Sequence, residues 1–142
     1  METRGCQVHK LVADVCLVAD QKILLARYKD TSGYDGEQGW FLPDDYLHHS
    51  EHPQEAAHRI LKEQAGIEVP ALDIGSIESF EGHGYWHLIF HYYAHLSRLP
   101  AASPGRNVLA AEWFPADGLP SPEEVAHGGW ALETIQTVLS RN

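Results

Sequence analysis

The sequence predicts an α+β protein built as an α/β/α sandwich, and three observations carry that prediction. Apolar runs rich in β-branched residues recur at strand length. Two segments have helical spacing with clear starts or stripes. No repeat, low-complexity tract or linker separates them, so the 142 residues read as one domain, 1–142, large enough to bury a real core. Strands gathered in runs beside two helices suit a layered sheet covered by helices.

Residues 11–19 (LVADVCLVA) and 22–28 (KILLARY) read as two strands, and Asp20-Gln21 between them predicts a hairpin. The stretch 29–38, rich in Asp, Gly, Ser and Thr, predicts a loop. Residues 39–43 predict a short strand entering a polar loop. Pro53 at a helix start, Glu55 in its first turn and Gly66 as a stop predict a helix, with His52 as N-cap in place of the better Ser, Thr, Asn or Asp. Residues 72–81 and 85–96 predict a long antiparallel pair around Gly82-His83-Gly84. A Pro, Ser and Gly loop over 99–107 and a short strand over 110–114 follow. The closing helix is predicted over 122–140, where Val125, Leu132, Ile135, Val138 and Leu139 form an apolar stripe.

A net charge of −10 argues against nucleic-acid polymers and anionic membranes as partners, because binding them needs clustered Lys and Arg. A small phosphorylated ligand stays compatible, since a divalent cation can bridge carboxylate to phosphate. Cys6 and Cys16 are too few for a disulfide scaffold, and Cys16 in its apolar run reads as a buried thiol. The N-terminus has no apolar stretch resembling a signal sequence and no run approaches a membrane span, so a cytoplasmic location is the default expectation.

The most informative stretch is 39–69, GWFLPDDYLHHSEHPQEAAHRILKEQAGIEV. On its helix Glu63 lies about 40° from Arg59, Ile60 about 100° and Gln64 about 140°, so those three share one face. Ala57 and Leu61 sit further round, near 160° and 200°, and mark the side expected to pack on the sheet. A carboxylate beside Ile60 and Gln64 suits neither a solvent face nor a core. It reads as a carboxylate cluster partly replaced.

This segment resembles the box of the Nudix hydrolases, G-x5-E-x7-R-E-U-x-E-E-x-G-U, with U a bulky aliphatic residue. Asp45 takes the first glycine, Glu51 the first glutamate and Arg59 the arginine. Ile60 replaces the next glutamate, Leu61 is aliphatic, Glu63 is retained, Gln64 replaces the last glutamate, and Gly66 and Ile67 close the box. Trp40-Phe41-Leu42-Pro43, the preceding hairpin, the Glu112-Trp113-Phe114-Pro115 strand and the closing helix extend the resemblance over nearly the whole chain. It implies a Nudix-like α/β/α sandwich with a mixed central sheet, and a pyrophosphohydrolase acting on a nucleoside diphosphate linked to another group.

The resemblance also implies Mg²⁺ or Mn²⁺ as cofactor, held by helix glutamates and a loop carbonyl, with Glu51 and Arg59 bracing loop to helix. Glu63, Arg59 and Glu51 are the candidate catalytic residues. Glu63, Asp45 and Glu112 are the candidate metal ligands, and Arg27 is the candidate phosphate-binding residue. Ile60 has no lone pair for a metal, and Gln64 offers an amide oxygen without charge. Hydrolysis is therefore expected to be weak, and the alternative is an inactive nucleotide-binding or sensor module. Asp44 and Asp45, with His48, His49 and His52, could relocate the metal site; the opposing reading makes them a solvated turn. Many relatives pair, so a homodimer is compatible.

Other residues read more plainly. His87, His91 and His95 alternate onto one strand face, but neighbours four apart stand about 13 Å from each other, too far for one ion, and a half-wet face is expected. Glu81 and the aromatics Tyr28, Tyr34, Trp40, Phe80, Tyr85 and Trp86 could meet a ligand or serve as ordinary structure. Trp130, after His127-Gly128-Gly129, is expected to pack inward.

Overall fold

The computed structural model describes residues 9–82 and 84–141; the expectations for Cys6 and for His83 in the 82–84 turn lie outside the described residues. Six strands and two helices occur in the order β1 (His9–Ala19), β2 (Lys22–Tyr28), β3 (Asp44–Tyr46), α1 (Pro53–Ala65), β4 (Asp73–Gly82), β5 (Tyr85–Leu96), β6 (Val108–Pro115) and α2 (Ala126–Leu139). The sheet runs β4-β5-β1-β2-β6, with β3 on β1. It is mixed, because β1 and β5 are parallel and the other pairings are antiparallel.

The central strand β1 is apolar on both faces because helices cover both. Val15 and Leu17 pack with Leu24, Ala26 and, from α1, Ala57, Leu61 and Ala65. Cys16 and Val18 pack with Ile23, Leu25 and, from α2, Ile135 and Val138. Two cores on opposite faces of one sheet make the α/β/α sandwich.

Three boundaries differ from the sequence-based expectations. Residues 39–43 form no regular strand; Phe41 and Trp40 make isolated bridges to Ala26 and Val125. The third strand is instead Asp44–Tyr46, within the expected loop. It forms because β2 pairs with β1 only at Val18–Ile23 and Ala19–Lys22, which frees the β1 edge at Val12–Asp14. The closing helix is broken: a 3-10 turn at Pro122–Glu124 precedes α2, and His127, Gly128 and Gly129 take left-handed φ of 57°, 66° and 90°. Two glycines make that kink accessible.

Helix α1 starts as a capping box despite its unusual N-cap. His52 Nδ1 accepts from the Gln54 N–H at 3.0 Å, and the Glu55 carboxylate accepts from the His52 N–H at 3.2 Å. Its buried arc is wider than expected, taking in Ala56, Ile60 and Gln64 along with Ala57 and Leu61.

Candidate functional site

Arg59 joins the loop, β3 and α1. Its Nε and Nη2 donate to the two Glu51 oxygens at 2.8 and 3.1 Å, a bidentate fork. Nη1 reaches Asp45 at 3.2 Å and Glu63, one helical turn on, at 3.1 Å. Nη2 also donates to the Tyr46 carbonyl at 2.9 Å. The guanidinium holds the Glu51 carboxyl below its usual range, against a smaller opposing effect of burial. Glu51 also accepts the His48 N–H, and Asp45 the Tyr46 N–H, both within 2.9 Å. Only Glu63, with 42% of its side chain exposed, keeps an oxygen without a hydrogen bond among the described residues.

A second knot lies behind this one. Gln64 Nε2 donates to the Asp44 carbonyl at 2.8 Å, and Gln64 Oε1 accepts from the Tyr28 hydroxyl at 2.7 Å. The Tyr28 oxygen accepts the Asp44 N–H at 3.1 Å, so amide, phenol and peptide close a ring. The Tyr34 hydroxyl donates to the same carbonyl at 3.2 Å, and its ring stacks on Tyr28 at 4.0 Å.

Asp44 and Asp45 also border a cavity of about 450 Å³ on the opposite, α2 side of the sheet. Phe80 and Trp130 line it with rings perpendicular at 5.7 Å, and Phe80 stacks flat on the buried His87. In the parallel register Asp14 stands directly across from His91. Both are buried, and His91 Nδ1 lies 2.8 Å from Asp14 while Nε2 lies 2.6 Å from Glu78. Burial alone would depress the imidazole, but the hydrogen bonds and charges of Asp14 and Glu78 override it and raise His91 to about 9. Burial also lifts Asp14, opposed by His91, and lifts Asp44 well above the carboxylate range, helped by Asp14, Asp45 and Asp35.

The structure brings Glu51, Arg59, Glu63 and Asp45 together and leaves Glu112 and Arg27 apart from them. Glu112 pairs with Leu25, which faces the α2-side core, whereas Glu63 rides on α1 across the sheet. Strand parity therefore separates two of the predicted metal ligands. Arg27 is exposed, lies over the Trp40 ring at 5.5 Å and is outside the cavity lining. His48 and His49 are exposed, and the His52 Nδ1 is used as a cap. The half-wet face expected for His87 and His91 is instead buried, because Phe80 stacks on His87 while Asp14, Glu78 and Trp130 enclose His91; His95 is exposed. Sequence reasoning missed Asp14 and Glu78. One signal pointed to Asp14, the lone charge inside the apolar run of β1.

The NUDIX domain family model matches residues 8–133. The chain belongs to the Nudix family. Family membership places it among Nudix-type hydrolases. Solved structures show the same fold at low identity. The NUDIX domain of Shewanella oneidensis NrtR, complexed with ADP ribose, is 18% identical with a TM-score of 0.75, covering 99% of this chain and 93% of that one. A MutT NUDIX hydrolase from Burkholderia pseudomallei is 24% identical with a TM-score of 0.71, covering 89% and 97%. An Ap4A hydrolase from C. elegans is 17% identical with a TM-score of 0.65, covering 94% and 99%. No curated protein matches the chain.

The donor set of this Nudix box does not fit the divalent cation that the family generally uses. Ile60 is fully buried against Ala13 and Ala56, in place of a carboxylate. The Gln64 amide points its N–H, not its oxygen, at the Asp44 carbonyl. The carboxylates of Glu51 and Asp45 are spent on Arg59 and backbone N–H groups. Among the described residues, no group of three or more His, Cys, Asp or Glu is placed to hold a metal ion.

Proposed function

We propose that the cavity binds a nucleotide-like ligand, a nucleoside diphosphate joined to a second group, and that its hydrolysis by this chain is slow. One observation carries the reading: a single cavity of about 450 Å³ runs from the rings of Phe80 and Trp130 to the box residues Asp44 and Asp45. That volume lies in the range of small-molecule sites, which combine apolar walls with a few placed polar groups. The ADP ribose bound by the NrtR domain is a ligand of this class.

The chemistry left to the box rests on one group. As water attacks phosphorus, a P–O bond forms to water, the bridging P–O bond breaks, and the water's proton needs an acceptor. Glu63 is the box carboxylate open to solvent, fixed by Arg59 at 3.1 Å; it lies on the α1 side and outside the cavity lining, so only a ligand that extends past Asp44 and Asp45 brings a phosphorus to it. The same ion pair stabilises its charged form and weakens it as a base, consistent with slow turnover. The Gln64 knot favours a second reading, binding without cleavage, because it occupies the loop carbonyl.

The test is a panel of nucleoside diphosphate sugars, dinucleotides and nucleoside triphosphates, incubated with Mg²⁺, with Mn²⁺ and with chelator. Slow release of a monophosphate that disappears in Glu63→Gln supports the hydrolase. Saturable binding with no turnover supports the second reading, and no binding by any member overturns both.

A further inference from the structure

The ring formed by Gln64, Tyr28 and Asp44 does the structural work that a bound cation would do at the same carbonyl. An oxygen with two lone pairs accepts two good hydrogen bonds, and the Asp44 carbonyl already has the Gln64 amide at 2.8 Å and the Tyr34 hydroxyl at 3.2 Å. The Tyr28 hydroxyl is also 3.4 Å from it, but its proton goes to Gln64 Oε1 at 2.7 Å. A cation would have to break this buried set, and it would find Ile60 where a second charge is needed. Tyr28 and Gln64 are 4% and 6% exposed, so water would not replace the lost partners.

Charge in the cavity points the same way. Its lining carries Asp14, Asp35, Asp44, Asp45, Glu78 and Glu81, while among the described residues its Lys10 is paired with Asp35 at 3.1 Å and both ring nitrogens of its His91 are taken by Asp14 and Glu78. With these cationic groups already engaged, the wall offers phosphate no open positive partner. A planar ring suits it better. Phe80 and Trp130 offer apolar faces, and Glu78 is 40% exposed, with one oxygen on His91 and the other without a hydrogen bond among the described residues. That oxygen is available to accept an N–H from the edge of a ring. Nearby, the buried His87 Nδ1 has no hydrogen-bond partner among the described residues, a further polar atom in the cavity lining open to a ligand.

We infer that the Gln64 amide stands in for a divalent cation, and that the cavity binds its ligand cation-free, led by a planar ring with a donor edge rather than by phosphate. This rests on the nucleotide-like ligand proposed above.

Calorimetric titration of the full chain in chelator-treated buffer with adenosine, guanosine, ADP and ADP-ribose, repeated with Mg²⁺, tests it together with electron paramagnetic resonance of added Mn²⁺. A nucleoside binding within about threefold of the tightest diphosphate, a Mg²⁺ effect under about twofold, and no protein-bound Mn²⁺ are the expected results. A diphosphate at least about tenfold tighter than either nucleoside, a requirement for Mg²⁺, or stoichiometric Mn²⁺ binding would overturn the inference while leaving the nucleotide-like ligand standing. Failure of all four compounds to bind would end both. In Gln64→Glu the amide donor is lost and a carboxylate faces the carbonyl. Added Mn²⁺ should raise the melting temperature of that variant and leave the wild type unmoved; a wild-type rise of equal size counts against the inference. The wild-type measurements decide the matter even if the variant does not fold.

Discussion

Replacing Arg59 by Met keeps most of the apolar stem and removes the charge that loop, β3 and α1 share. The fork to Glu51 is the large part of the loss, since the Arg59 and Glu51 side chains are only 15% and 13% exposed. The links to Asp45 and Glu63, 34% and 42% exposed, count for less because solvent screens them. Breaking the shielded pair, losing the Tyr46 carbonyl bond and crowding three carboxylates without a counter-charge should together cost about 4 kcal/mol. For a domain of this size that is roughly a 12 °C fall in melting temperature. The pH dependence has a definite sign. The folded-state pKa of Glu51 is lowered, so its contribution is present above the ordinary value of 4.5 and disappears as pH falls through the folded value. The gap between wild type and Arg59→Met should therefore narrow on acidification. Urea unfolding and calorimetry at neutral and acidic pH measure both quantities, and Arg59→Lys, which keeps charge but not the fork, should lose about half as much. A loss below about 1 kcal/mol, or a gap that stays constant with pH, would refute the brace.

Three further outcomes are expected. Ile60→Glu places a charge in a fully buried contact with Ala13 and Ala56; it should lower stability by at least about 3 kcal/mol in denaturant unfolding and create no cation affinity by itself. Gly105→Ala should destabilise comparably, by about 2–4 kcal/mol, because a Cβ there runs into the Glu63 backbone carbonyl, and amide exchange should report loosening at the end of α1. His91 is raised to about 9, so the stability it contributes is complete below its ordinary value of 6.5 and falls as pH rises through about 9. Melting curves of the wild type should show that decline, and His91→Gln should lack it.

Much of the scaffold was legible in sequence because its signals are local. The 11–19 and 22–28 runs, Pro53 and Gly66 each declare an element through backbone chemistry or periodicity. The side of α1 that meets the sheet was not. Helical angles place Ile60 and Gln64 beside Glu63, but whether that arc is buried depends on Ala13 and Tyr28, which are remote in sequence. Glu112 resembles a ligand in its strand, yet its face follows from the register with Leu25, which only pairing decides. The Asp14–His91 contact joins residues 77 apart through a parallel register that no local pattern announces. Gln64 was visible as a departure from the box, but its partners Tyr28 and Tyr34 were not.

The Gln64 side-chain amide reports most directly on whether this box is a hydrogen-bonded brace. In a ¹⁵N–¹H spectrum its donor proton should be shifted by the Asp44 carbonyl, slow to exchange, and unbroadened by added Mn²⁺. Selective broadening of that resonance at substoichiometric Mn²⁺ would put a cation where the amide is held to stand.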